Sequence, residues 1–193
     1  MADQVSFSGK VLETELAKSV NVSQYLVALS EENRPEIIKI VRKRFEDRYL
    51  NAIFFDSCPG FTMLAVSCLM IEALESFREG LPSSDRESEK LFKRFFESYD
   101  DFKELRPVTK GFYKNVRCGI LHQAETTGGW LIHKYGPLFD PSTLTVNAKE
   151  FVSRLKHSME QYLTELANAD WDSVVWVRLK NKFASIIENC ERE

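Results

Sequence analysis

At 193 residues, with 44% hydrophobic and 28% charged side chains, the chain has the length and mix of a folded globular protein, which excludes disorder as its default state. Its net charge of −3 argues against a generic polyanion binder, because non-specific nucleic-acid affinity rests on Lys and Arg neutralising phosphates. A local basic surface is still allowed.

Residues 10–29 contain a short helical piece, VLETELAKSV, and then a second helical turn, QYLVAL. Residues 1–34 are read as an N-terminal segment of open order. Pro35 suits the first turn of a longer helix, whose apolar stripe is Ile38, Val41, Phe45, Tyr49 and Ala52. Arg42, Arg44 and Arg48 flank that stripe, where long stems can lie along apolar surface. SCPG at 57–60 punctuates the chain. The segment after it, FTMLAVSCLMIEALESFREG, is apolar around most of its circumference and belongs at the centre of a bundle. Its one polar strip carries Cys68, Glu72, Glu75 and Ser76, and Gly80 to Pro82 end it.

Ser83 or Ser84 is placed to cap the next helix, with Asp85 and Glu87 in its first turn. Leu91, Phe92, Phe95, Phe96 and Tyr99 give that helix an aromatic face. A further helix is expected from about Thr109 to Thr126, with Phe112, Val116 and Ile120 as its core stripe and Gly128-Gly129 as its stop. WLIHKY and TLTV then read as two short strands joined by a turn-rich loop. Asn147, three residues before Glu150, resembles a capping box opening a helix with Phe151, Leu155, Met159, Tyr162, Leu163 and Leu166 on one face. A last helix from about Asp172 buries Val175, Leu179, Phe183, Ile186 and Cys190. The expected fold class is mostly α: a helical bundle over 35–126, then a small β hairpin and two further helices over 127–193, packed as one compact domain.

The four cysteines (Cys58, Cys68, Cys118, Cys190) lack paired spacing and read as small buried thiols in a reducing compartment. The first residues, MADQVSFSGK, lack the apolar run of a leader, and no segment approaches eighteen uninterrupted apolar residues. A cytoplasmic protein with no membrane association is expected.

The stretch RCGILH, residues 117–122, holds one of only three histidines. On an ideal helix Arg117 and His122 stand about 140° apart and straddle the apolar stripe. Cys118 stacks on His122, and Asn115 lies on the same side. Two groups so placed grip one atom only with help from another helix or chain, and a two-fold dimer would bring both pairs toward a shared cleft. A pairing of Cys118 with His122 supplies too few ligands for a structural zinc site, so no metal and no cofactor is expected.

An R-x4-H motif late in a helical bundle, preceded by an apolar helix carrying Glu72 and Glu75, resembles the HEPN superfamily over residues 35–126. The resemblance implies a metal-independent endoribonuclease acting as a homodimer, with a setting in bacterial defence or a toxin–antitoxin system. It implies His122 as general base or acid at the ribose 2′-OH. It also implies Arg117 as the group that holds the phosphate and stabilises developing charge, giving 2′,3′-cyclic phosphate ends. Glu72 and Glu75 either accept hydrogen bonds from Arg117 or form the solvated strip of their helix. The chain departs from the family pattern at Cys118, where Asn, Asp or His is usual, and a thiol is a poor hydrogen-bonding replacement. The other expectation is therefore a non-catalytic HEPN-like dimer that binds a protein partner or a nucleotide ligand. His133 and His157 are expected at the surface, and the Trp residues as core or interface anchors.

Overall fold

A computed structural model describes residues 9–85 and 87–191. Residues 1–8, on which the leader reading and part of the N-terminal segment fall, lie outside the described residues. The fold is mostly α, a helical bundle with small β elements. Its central helix is α5 (Gly60–Glu79), which buries Met63, Leu64, Met70, Ile71, Leu74 and Phe77. In length and composition α5 is apolar enough to cross a membrane, but most of it is buried among the other helices. Against it pack α9 (Ala148–Asn168), α10 (Val174–Glu191) and α6 (Ser88–Ser98).

The N-terminal helix α1 (Gly9–Glu13) is shorter than the periodicity suggests. The chain then forms a hairpin, β1 (Glu15–Ala17) with β2 (Val20–Asn21), where VLETELAKSV read as helical. Two contacts explain the override. Leu16 and Ala17 are both buried, and the Leu16 carbonyl accepts from Arg44 and Arg48, an acceptor that a helix would have used internally. Asn21 then opens α2 (Val22–Ser30) through a reciprocal capping box with Gln24.

Asn33 caps α3 (Arg34–Phe45), with Pro35 in its first turn. The helix continues through a π-helical turn (Glu46–Leu50) into α4 (Asn51–Ile53). The wider turn advances the buried face, so Leu50 and Ile53 are buried where the 3.6-residue pattern placed Tyr49 and Ala52. Arg42 makes a two-pronged pair with Glu160 that ties α3 to α9. Arg34 donates to the carbonyls of Leu166, Ala167 and Ala169, closing the open end of α9.

Gly80 ends α5 in the left-handed conformation at φ 66°, and α10 runs so close that a Cβ there would lie 2.9 Å from the Arg178 backbone. Ser83 and Ser84 do not cap α6. That helix begins at Ser88, and the Ser83 hydroxyl instead accepts the Asp85 amide within the preceding loop. The segment Asp100–Val108 is a 3-10 helix whose Phe102 and Leu105 enter the core. Phe92, Phe95, Phe96, Phe102, Phe112 and Phe151 pack as one aromatic cluster, with Phe112 and Phe151 stacked at 5.5 Å.

The late β element has three strands rather than a simple hairpin. β5 (Thr145–Asn147) lies in the middle, parallel to β3 (Leu131–His133) and antiparallel to β4 (Phe139–Asp140). Asn147 caps α9 by accepting from the Lys149 and Glu150 amides, while the Glu150 carboxylate turns outward to Arg154. One half of the capping box is therefore made. Trp130 and Trp176 are core residues, and the apolar faces expected for α6 and α9 are buried. The last turns of α10 bury Ile187 and leave Ile186 and Cys190 half-covered. Tyr25 of α2 stacks on Phe183 of α10 at 4.3 Å, so elements far apart in sequence close the core together.

Candidate functional site

The helix bearing RCGILH is built in three parts: α7 (Thr109–Phe112), a π-helical turn (Tyr113–Arg117) and α8 (Cys118–Gln123). In the π turn the Cys118 amide donates to the Tyr113 carbonyl, five residues back. The helix stops at Ala124, which is left-handed at φ 55°, several residues before the expected Gly128-Gly129 break. The chain then folds back along the helix. The Thr127 amide donates to the Asn115 carbonyl at 2.9 Å, and the Thr127 hydroxyl to the Asn115 Oδ1 at 3.0 Å.

That return explains two glycines. A Cβ on Gly119 would lie 2.6 Å from the Glu125 carbonyl, and one on Gly128 would lie 2.7 Å from the Asn115 side chain. Gly128 also has φ 62°. Asn115 thus holds the loop, and among the described residues its side chain makes no hydrogen bond to Arg117 or His122.

Arg117 points inward. Its Nε donates to Glu72 Oε1 at 2.7 Å, and both side chains are largely covered, 15% and 10% exposed. The second oxygen of Glu72 accepts from the Ser88 hydroxyl at 2.8 Å. The guanidinium lies over the Tyr113 ring at 5.5 Å, with its Nη1 4.0 Å from the Cys118 sulfur. Burial works against the charge on Arg117, but the Glu72 carboxylate outweighs it and holds the guanidinium above its ordinary value. Burial, and then the neighbouring Cys118, push the Tyr113 phenol up. Cys68, one turn before Glu72 on α5, is raised by burial and by Glu72.

Glu75, expected together with Glu72 as an acceptor for Arg117, is joined to Arg78 at 2.9 Å instead. All four residues of the α5 polar strip are buried, so none of it is the solvated edge that the alternative reading assigned to the acids. His122 is exposed and has no hydrogen-bond or ion-pair partner among the described residues. The contacts of Cys118 run to Arg117 and Tyr113. Among the described residues no cluster of three or more His, Cys, Asp or Glu side chains could hold a metal. His133 and His157 are exposed, the latter paired with Asp101.

The sequence reading missed Ser88, Tyr113 and the π turn. Ser88 carried no signal, since it serves Glu72 only after α6 has packed on α5. The Tyr113 ring comes beside Arg117 through the local widening of the helix at the π turn. Comparison with family models, curated proteins and solved structures finds no match for this chain.

Proposed function

We propose that the chain is a HEPN-like protein acting on RNA as a metal-independent endoribonuclease. In this reading it works as a homodimer in the cytoplasm, in a defence or toxin–antitoxin setting, with Arg117 and His122 as its working pair. The observation that carries this reading is the division of labour within one helix. Arg117 is locked to the central helix by Glu72, while His122, in the last turn, is left open to solvent. Arg117 Nη2 has no protein partner among the described residues and keeps its donors for a phosphate. Leu121, beside His122, and Leu69, three residues before Glu72, are 55% and 53% exposed. They supply apolar surface on which a second copy would seat and bring its own His122 toward the cleft. The free thiols fit a reducing compartment.

A second reading is favoured by Cys118. Its thiol sits beside Arg117 where the RNase pattern has a strong hydrogen-bonding group, which supports a non-catalytic dimer that binds a protein partner or a nucleotide. One assay separates the two. Mixed-sequence RNA is incubated in EDTA with the protein and with the Arg117→Ala/His122→Ala variant, and the products are analysed for end chemistry. Cleavage to cyclic-phosphate ends by the parent alone is expected. Intact RNA in both, with a dimer by light scattering, would establish the scaffold instead.

A further inference from the structure

Between α3, α5 and α10 runs an open groove of about 390 Å³, within the size range of small-ligand sites. Arg44, Tyr49, Glu72, Ala73 and Lys182 are among the residues that line it. The two cations sit against the same buried ring. The Arg44 guanidinium carbon and the Lys182 ammonium are each 6.0 Å from the centre of Phe77.

Neither cation has a carboxylate partner among the described residues. Arg42, Arg78, Arg94, Arg106, Arg117, Arg154 and Arg178 all have one. Arg44 donates to the Leu16 carbonyl, Lys182 to the Pro82 carbonyl at 3.3 Å, and Arg48 adds a third positive charge next to Arg44. Two half-buried like charges on one ring, without an anion between them, disfavour each other. The rim of the groove adds the hydroxyls of Ser83 and Ser84. Burial and Arg48 push Arg44 down to about 10, and burial and Arg44 lower Lys182, the direction that a bound anion would reverse.

We propose that this groove binds a small phosphomonoester of nucleotide size, with its phosphate between Arg44 and Lys182 and its body in the rest of the groove, against Tyr49 and Ala73. The site is separate from His122 and does not depend on RNA cleavage.

Isothermal titration with adenosine monophosphate, inorganic phosphate and a short single-stranded RNA tests it, using the parent, Lys182→Gln, Lys182→Arg and His122→Ala, each checked for fold by circular dichroism. Saturable nucleotide binding is expected, weaker for inorganic phosphate. It should be reduced about tenfold or more in Lys182→Gln and retained in Lys182→Arg and His122→Ala. The proposal is overturned if the nucleotide shows no heat, if Lys182→Gln binds as the parent does, or if only the RNA binds. Loss in His122→Ala with retention in Lys182→Gln would place the phosphate at the RCGILH motif and overturn it equally.

Discussion

Glu72 and Glu75 lie three residues apart on the same helix, both buried, and their surroundings give them opposite energetics. Glu72 has each oxygen engaged, one by Arg117 and one by Ser88. Replacing it with Gln leaves a largely covered guanidinium without its counter-charge, for which a loss of about 3 kcal/mol in denaturant unfolding is expected. Glu75 has one oxygen on Arg78 and the other buried with no hydrogen-bond partner among the described residues, and burial raises its carboxyl. Because the folded state disfavours its charge, Glu75 contributes most to stability where it is protonated. That contribution is lost as pH rises from the unfolded carboxylate value near 4.5 through the raised folded one. Glu75→Gln does not titrate. Its melting temperature should match or exceed the parent's at neutral pH, with the advantage shrinking as pH falls through the raised folded value toward about 4.5. A Gln variant less stable than the parent by the same amount at every pH would mean that the Arg78 pair outweighs burial.

At the scale of elements, the two π turns are what periodicity could not show. The apolar stripes of α6 and α9 are read correctly because both helices hold 3.6 residues per turn against a continuous core. Tyr49 and Ala52 lose their places because the turn at Glu46–Leu50 widens after Phe45. The same reason limits the reading of RCGILH. An ideal wheel keeps Asn115 beside Cys118 and His122, whereas the π turn and the returning loop give Asn115 to Thr127. The strip of Cys68, Glu72, Glu75 and Ser76 was legible as a polar seam. Which acid meets Arg117 was not, because that depends on how α8 docks on α5. The β1–β2 hairpin was hidden as well, since its cause is the Leu16 carbonyl facing arginines on another helix. Gly119→Ala tests the element directly. The added methyl meets the Glu125 carbonyl, so the loop from Glu125 to Gly129 must shift at a cost of roughly 1–3 kcal/mol. Amide exchange should accelerate at Thr127 more than in α9. Unchanged protection at Thr127 would show that the loop accommodates the methyl elsewhere.

For the whole molecule, one apolar cluster runs from Val11 to Ile187 and includes every long helix. Trp176, Leu179 and Phe183 of α10 are fully covered, and Trp176 also donates to the Leu166 carbonyl at 2.9 Å. A chain cut after Asn168 would leave Tyr25 and Phe77 facing water where Phe183 now covers them. Loss of the single cooperative thermal transition is expected, read by circular dichroism and dye binding to exposed apolar surface. A sharp transition in the shortened chain would mean that the remaining helices close a core without α10.

The stacking of Tyr25 on Phe183 also sets a clock on synthesis. The ribosome releases α2 well before α10, so at about 5–20 residues per second Tyr25 waits on the order of ten seconds for its partner. Throughout that interval the nascent chain offers an aromatic, unfinished surface to whatever first meets it at the exit tunnel. Slow translation therefore burdens this fold more than it would one closed by neighbouring segments.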